Sequence, residues 1–186
     1  MATAAVPAAP AAAGAPPGQY LTFMLSGETY AVGILHIKEI IEYGALTEVP
    51  MMPPFIRGVI NLRGRVVPVV DLAVRFGKPA TAIARRTSIV IVETAGAAGE
   101  AGDEPGQDVG ILVDAVNEVA EFAAADIEPP PAFGTNMRHD FIRAMARRAG
   151  RFVVVLNMDR VLSVQDMTSI GQASAFMGAA EAAQAA

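Results

Sequence analysis

The chain has 186 residues, of which 53% are hydrophobic and 18% charged, and its formal net charge is −5. This length and apolar content predict one compact domain, or two small lobes that share a core. The acidic balance argues against nucleic-acid binding, and the absence of cysteine excludes a disulfide framework, a thiolate nucleophile and a cysteine-based zinc site. We expect no direct membrane insertion, because no apolar run reaches the roughly 18 residues of a membrane-spanning helix.

Composition separates the two ends of the chain from its middle. Residues 1–18 are rich in Ala and Pro and predict a disordered tail, and residues 171–186 predict an Ala-rich tail or frayed helix. The segment 19–170 between them predicts a folded domain. Its loop 95–107 consists mainly of Gly, Ala and acidic residues, so we expect a flexible surface loop there.

Short β-branched runs between turn residues are typical of strands and predict a mainly β fold. These predicted strands are Tyr20–Leu25, Thr29–Val32, Arg65–Val70, Ser88–Val92 and Phe152–Leu156. Pro68 within one of them predicts an edge position or a bulge. The predicted helices are short, at 71–76 and 159–163, with a further one at about 165–178.

The sequence repeats itself. The matched segments are Phe55–Arg57 with Phe141–Arg143, Gly64–Arg65 with Gly150–Arg151, Val32–Leu35 with Val109–Leu112, and Ile37–Glu42 with Val116–Glu121. The first two pairs share an offset of 86 residues, and the last two occur in the same order with a two-residue change in the gap between them. These matches predict a duplicated β unit with copies at about 19–80 and 85–165. Since each copy is small for an independent core, we expect the two to pack together, with a groove between them.

The copies differ in the turn before their shared Gly-Arg. The first copy has Asn61-Leu62-Arg63 there, and the second has Arg147-Arg148-Ala149. A tight turn needs the glycine, where φ can be positive, but it does not need Asn-Leu-Arg. This difference makes residues 61–63, which include Asn61 and Arg63, a candidate for function.

Catalytic motifs are absent from the sequence. It contains no P-loop, no GxGxxG after a strand and no GxSxG. The two histidines, His36 and His139, lie in unrelated contexts, and the acidic pair Asp103-Glu104 falls in the loop predicted to be flexible. We therefore expect a protein that is not an enzyme, with no catalytic residue, no cofactor and no metal.

The most specific run is Phe55–Leu72, which contains G-x-x-N-L-R-G followed by V-V-P-V-V-D-L. It resembles the signature of the CheW family, the bacterial chemotaxis coupling proteins. Residues 34–40, 109–116 and 127–129 are similar to further segments of that family, so the resemblance covers about 19–170. It implies two five-stranded, SH3-like β-barrel lobes around a shared core, with short helices.

The same resemblance implies a function and its site residues. The chain would be a cytoplasmic adaptor, recruited to membrane-associated receptor arrays, that binds the regulatory domain of the CheA histidine kinase and the cytoplasmic tips of methyl-accepting chemoreceptors. Arg63 matches the family's functional arginine, and Asn61 lies in the same motif. The other positions implied to act in receptor or kinase binding are Ile37, Glu39, Gly58 and Val119.

Two other functions remain open at this point. The chain could be a small-molecule-sensing β-barrel module that uses the inter-lobe groove, which polar side chains converging on an enclosed cavity would favour. It could also be a regulatory module detached from a kinase, although it carries no ATP-binding motif. Several candidate residues also have a structural interpretation: Ile37 and Val119 as core, Gly58 as a position that tolerates no Cβ, and Glu39 as the partner of an arginine.

Overall fold

The computed structural model of the protein describes residues 15–94, 98–99, 102–103, 106–130 and 139–162. The strands are β1 (Gly18–Leu25), β2 (Glu28–Gly33), β3 (Ile37–Glu42), β4 (Ile56–Leu62), β5 (Arg65–Asp71), β6 (Ser88–Glu93), β7 (Ala98–Gly99), β8 (Gly102–Asp103), β9 (Asp108–Val113), β10 (Ala115–Phe122), β11 (Ile127–Glu128), β12 (Ile142–Arg148) and β13 (Arg151–Leu156). Two one-turn α-helices follow β5 and β13, α1 (Leu72–Arg75) and α2 (Met158–Val161), and short 3-10 helices lie at Ile34–His36, Ala124–Asp126 and His139–Phe141.

Two main sheets contain most of these strands. A six-stranded sheet has the order β10-β1-β2-β13-β12-β11, and a five-stranded sheet has the order β3-β6-β9-β5-β4. Each sheet therefore combines strands from the first and second halves of the chain, and each contains one parallel pairing, β2 with β13 and β5 with β9. The strands β7 and β8 form a separate two-stranded sheet within the predicted loop 95–107.

The hairpin that precedes each α-helix is built twice in the same register. β4, β5 and α1 begin 86 residues before β12, β13 and α2, and both hairpins have a bulge at the second residue of their first strand, Arg57 and Arg143. The carbonyl of Phe55 accepts the Asp71 N–H at 2.7 Å, and the carbonyl of Phe141 accepts the Asn157 N–H at 2.8 Å. The structure thus gives the segments matched at this offset the same local fold.

The other two pairs of matched segments differ in how well the sequence match agrees with the strand register. Ile37 lies opposite Val92 in β6 and Val116 lies opposite Phe23 in β1, which places the segments 37–42 and 116–121 equivalently. The match of Val32–Leu35 to Val109–Leu112 is wrong in register. Ala31 pairs with Val155 on β13, and Gly110 pairs with Val69 on β5. Since Val69 and Val155 are equivalent at the 86-residue offset, Ala31 is equivalent to Gly110, which shifts the sequence match by two residues.

Apolar side chains fill three clusters, one between the sheets and one within each sheet. The shared cluster contains a row of rings, Phe23, Tyr30, Phe76 and Phe141, whose neighbouring centroids are 5.7–6.1 Å apart. Smaller clusters, around Phe122 and around Ile91, lie within the six-stranded and the five-stranded sheet. Burial of the apolar surface of these clusters is the main contribution to the stability of the fold. The predicted mainly β class around a shared core, with short helices, is confirmed, and the strand orders are consistent with SH3-like barrels.

Pro68 does not lie at an edge. Its strand β5 lies between β4 and β9, so the predicted edge position is wrong. The parallel pairing with β9 starts only at Val69, and the proline's missing N–H therefore costs no hydrogen bond to that strand. The bulge in this pairing lies on β4, between Ile56 and Gly58.

Some predicted segments fall outside the described residues. These are residues 1–14 of the predicted N-terminal tail and everything after Leu162, including the predicted helix at 165–178. Within the described start of the chain, Ala15 is buried and the Tyr20 hydroxyl donates to the Pro16 carbonyl.

Candidate interaction surface

The β4–β5 turn presents Arg63 outward. Arg63 and Gly64 have φ angles of 53° and 82°, as a tight hairpin turn with two left-handed residues requires. The Gly64 N–H donates to Asn61 Oδ1 at 2.9 Å, which closes the turn from inside. Gly150 in the equivalent turn also has a positive φ, so the predicted need for glycine is confirmed at both turns.

Arg63 forms an ion pair with Glu39 on β3. The Nη1 atom of Arg63 lies 3.1 Å from Glu39 Oε1, and this contact joins strands at opposite edges of the five-stranded sheet. The Arg63 side chain is 79% exposed and the Glu39 side chain 25%. An exposed pair of this kind contributes little to stability, so most of the guanidinium remains available to a partner.

Exposed apolar side chains lie beside this pair along the chain. Ile40, next to Glu39 on β3, is 45% exposed, and Val66, directly opposite Asn61 on β5, is 68% exposed. Apolar groups bordered by charged ones are the usual composition of a protein-binding surface. Sequence reasoning missed both residues, although each lies within three positions of a predicted one.

Two of the predicted site residues are placed by the fold itself. Ile37 is half-buried and packs against the shared core. Gly58 is buried with a φ of +155°, and a Cβ there would lie 2.5 Å from the Thr47 carbonyl oxygen. The structural interpretation given for each therefore has a physical basis, whatever further role they have.

Val119 lies apart from the others, on β10 of the six-stranded sheet, and is 48% exposed. It is the equivalent of Ile40, and its neighbour Glu118, the equivalent of Glu39, pairs with Arg148 at 2.9 Å. Phe152, 86 residues after Val66, is 55% exposed. The fold thus presents two similar surfaces, each with a Glu–Arg pair and exposed apolar groups; the repeat offset is the signal that could have identified the second.

A second charged cluster covers the five-stranded sheet near β9. Lys38 Nζ lies 2.7 Å from Asp108 Oδ1 and 3.3 Å from Glu93 Oε1, and Arg65 Nη1 lies 3.2 Å from Asp108 Oδ2. The hydrogen bond from Lys38 to Asp108 is the main cause that raises the pKa of Lys38, and the hydrogen bond to Glu93 raises it further. The lysine remains charged at neutral pH, and the nearly buried Asp108 carboxylate is neutralised by two cations, Lys38 and Arg65.

Asp71, in the most specific motif of the sequence, has an anchoring position. Its carboxylate is fully buried and accepts the Ala73 N–H at 3.0 Å, which caps α1. It also accepts the N–H and the hydroxyl of Thr81, each at 2.9 Å, and lies 3.5 Å from the Arg57 guanidinium. This residue holds the connection after α1 against the sheet and does not face a partner.

A groove of about 920 Å³ lies on the six-stranded sheet. It is lined by residues of β1, β2, β10, β12 and β13 and by Phe76–Lys78, and it is partly open to solvent. This geometry differs from the enclosed cavity between the lobes that the small-molecule hypothesis requires.

The described part of the chain offers neither a cluster of metal ligands nor a membrane-spanning helix. No group of three or more His, Cys, Asp or Glu side chains there is arranged to hold a metal ion. Among the same residues, no helix is long and apolar enough to cross a membrane.

Comparison with known proteins agrees with the motif. The model of the CheW-like domain matches residues 19–166. The chemotaxis protein CheW of Klebsiella aerogenes is 29% identical over 153 residues, which cover 82% of this chain and 86% of that protein. The CheW protein of Bacillus subtilis is 30% identical over 80% of this chain and 89% of its own, and protein FrzA of Myxococcus xanthus is 30% identical over 67% and 71%.

A solved structure has the same fold. The scaffolding protein TtCheW of Thermoanaerobacter tengcongensis superposes with a TM-score of 0.70 at 31% identity, and the match covers 81% of this chain and 95% of that one.

Proposed function

This chain belongs to the CheW-like domain family, and from this premise we propose that it couples chemoreceptors to the histidine kinase CheA by binding both. A chemotaxis adaptor role is supported by relatives named as chemotaxis proteins and by a structural neighbour named as a scaffold. The proposal adds the partners, the kinase's regulatory domain and the cytoplasmic tips of receptors. It also places the protein in the cytoplasm, at receptor arrays, and assigns it no catalytic step.

The observation that carries the proposal is the exposed Arg63 on a turn of fixed shape. Asn61 closes that turn, and Glu39 holds the guanidinium at one side without burying it. A receptor or kinase carboxylate could accept the remaining N–H groups, and charge-assisted bonds of this kind are about twice as strong as neutral ones. Ile40 and Val66 would supply the apolar part of the interface.

Coupling requires that one molecule binds two partners at once. The fold offers two equivalent surfaces on different sheets, around Arg63 and around Val119. When both are occupied, the second contact is intramolecular, so modest individual affinities are sufficient. The receptor would shift the kinase by moving packed interfaces on a shared scaffold.

The direct experiment is a pull-down of the full chain with the purified kinase regulatory domain and, separately, with a receptor cytoplasmic tip. We expect capture of both, and of the two together on one molecule. Failure to capture either partner would refute the adaptor assignment.

The Arg63→Ala variant separates binding from folding. We expect its affinity for one partner to fall at least tenfold, since a charge-assisted contact contributes about 1.5–3 kcal/mol. Its unfolding free energy should change by less than about 1 kcal/mol, because the Arg63–Glu39 pair is exposed. Titration calorimetry and urea unfolding measure the two quantities.

The matched control for this variant is Arg86→Ala. Arg86 is exposed and forms no ion pair within the described ranges, so neither quantity should change. If Arg63→Ala lost its stability and kept its affinity, the residue would be structural.

A further inference from the structure

The two sheets differ at one set of equivalent positions. On the five-stranded sheet, Asp108 neutralises both Lys38 and Arg65. Since Ala31 and Gly110 are equivalent in register, Thr29 on β2 occupies the position of Asp108. The six-stranded sheet therefore lacks a carboxylate at a position where the other sheet has one.

Of the two cations that Asp108 neutralises, the six-stranded sheet keeps the equivalent of Arg65, while Asn117 stands in the place of Lys38. Arg151 lies 86 residues after Arg65, at the same place in its hairpin. Its side chain is exposed, and its guanidinium forms no hydrogen bond or ion pair with any residue that the structure describes. Thr29 forms no hydrogen bond with the Arg151 guanidinium, and its hydroxyl donates to Met24 Sδ at 3.4 Å.

Arg151 lines the open groove of about 920 Å³, whose other charges are matched in pairs. Lys78 pairs with Glu28 at 2.6 Å, and Arg148 pairs with Glu118 at 2.9 Å. The bond from Lys78, followed by the bond from Tyr30, lowers the pKa of Glu28 and keeps that pair charged. Among the described lining residues, Arg151 is thus the one uncompensated charge.

We propose that this groove binds an extended acidic segment of a partner protein, with one carboxylate of the segment on Arg151. Phe152, which is 55% exposed beside it, would pack against a neighbouring apolar side chain of the segment. The carboxylates of Glu28 and Glu118 disfavour a polyanion such as nucleic acid. The inference rests on the proposed function, since Glu118, Arg148 and Phe152 of the second surface line the groove, and it names the chemistry of the segment bound there.

The test uses a fluorescein-labelled peptide of Leu and Thr residues with one central Glu, with fluorescence anisotropy as the readout for the full chain. We expect saturable binding that weakens with added salt. Arg151→Ala should weaken it by about tenfold, and Thr29→Asp should do so too, because the new carboxylate would occupy Arg151 internally. Arg86→Ala, outside the groove, should bind as the unaltered protein does.

Three outcomes would overturn the proposal. One is no binding of the peptide, and another is equal binding by the Arg151→Ala and Arg86→Ala variants. The third is displacement of the peptide by free glutarate at an equal concentration, which would show a small-anion site. Arg151→Ala and Thr29→Asp should still capture the partner that binds around Arg63, which lies outside the groove, so failure here is distinguishable from failure of the adaptor assignment.

Discussion

Replacing Asp71 with alanine is expected to lower the unfolding free energy by about 3 kcal/mol. The carboxylate is fully buried, and its loss leaves the N–H and hydroxyl of Thr81 and the N–H of Ala73 without their acceptor. The partly buried Arg57 guanidinium would also lose its partner. Urea unfolding followed by circular dichroism measures this change, and the slope with urea should stay constant if only stability changes.

The chain supplies a matched control at the equivalent position. Asn157, 86 residues later, precedes α2 but makes no capping bond with its side chain. Its backbone N–H bonds the Phe141 carbonyl, and alanine keeps that bond. Asn157→Ala should therefore cost less than about 1 kcal/mol. Equal losses in the two variants would show that the Asp71 carboxylate does not anchor the connection after α1.

Gly58→Ala is expected to have an effect of similar size through sterics alone. The added Cβ would lie 2.5 Å from the Thr47 carbonyl oxygen and 3.1 Å from the Thr47 carbonyl carbon, both of which are backbone atoms. The residue's φ of +155° is also unfavourable for any side chain. Displacing the paired segment at Thr47 should cost about 3 kcal/mol. Thermal unfolding should show a clearly lower midpoint.

Gly44→Ala controls for the loss of glycine flexibility. Nothing lies within 4 Å of a Cβ at Gly44, and its φ is not in the left-handed region. Its stability should change by about 0.5 kcal/mol or less. If the Gly58→Ala protein unfolded like the Gly44→Ala protein but bound its partners poorly, Gly58 would act directly in binding.

Sequence reasoning predicted those features that depend on local pattern or on repetition. The strands around Phe23, Val90 and Val154 followed from β-branched runs, and the matched hairpins followed from the 86-residue offset. Glycine at the two turns followed from the geometry of tight turns. Each of these signals lies within a short stretch of chain.

The features that were missed or wrong depend on partners that are distant in sequence. Pro68 was predicted to lie at an edge or in a bulge, because the sequence does not show that β9 begins its pairing with β5 one residue later. The Glu39–Arg63 contact brings together opposite edges of a sheet, and the burial of Asp71 depends on Thr81. The roles of the six predicted site residues stay predictions until binding is measured.

The exchange of strands between the sheets has a consequence for how the chain folds. β1 pairs with β10, about 100 residues further along the chain, and β2 needs β13, which is further still. Neither sheet is complete until most of the polypeptide has left the ribosome. Proteins dominated by such non-local pairings have high contact order and fold slowly. During synthesis, the outer edges of β1 and β2 remain unpaired until β10 and β13 have been made. We expect one cooperative transition with slow refolding, in which neither half of the chain folds without the other.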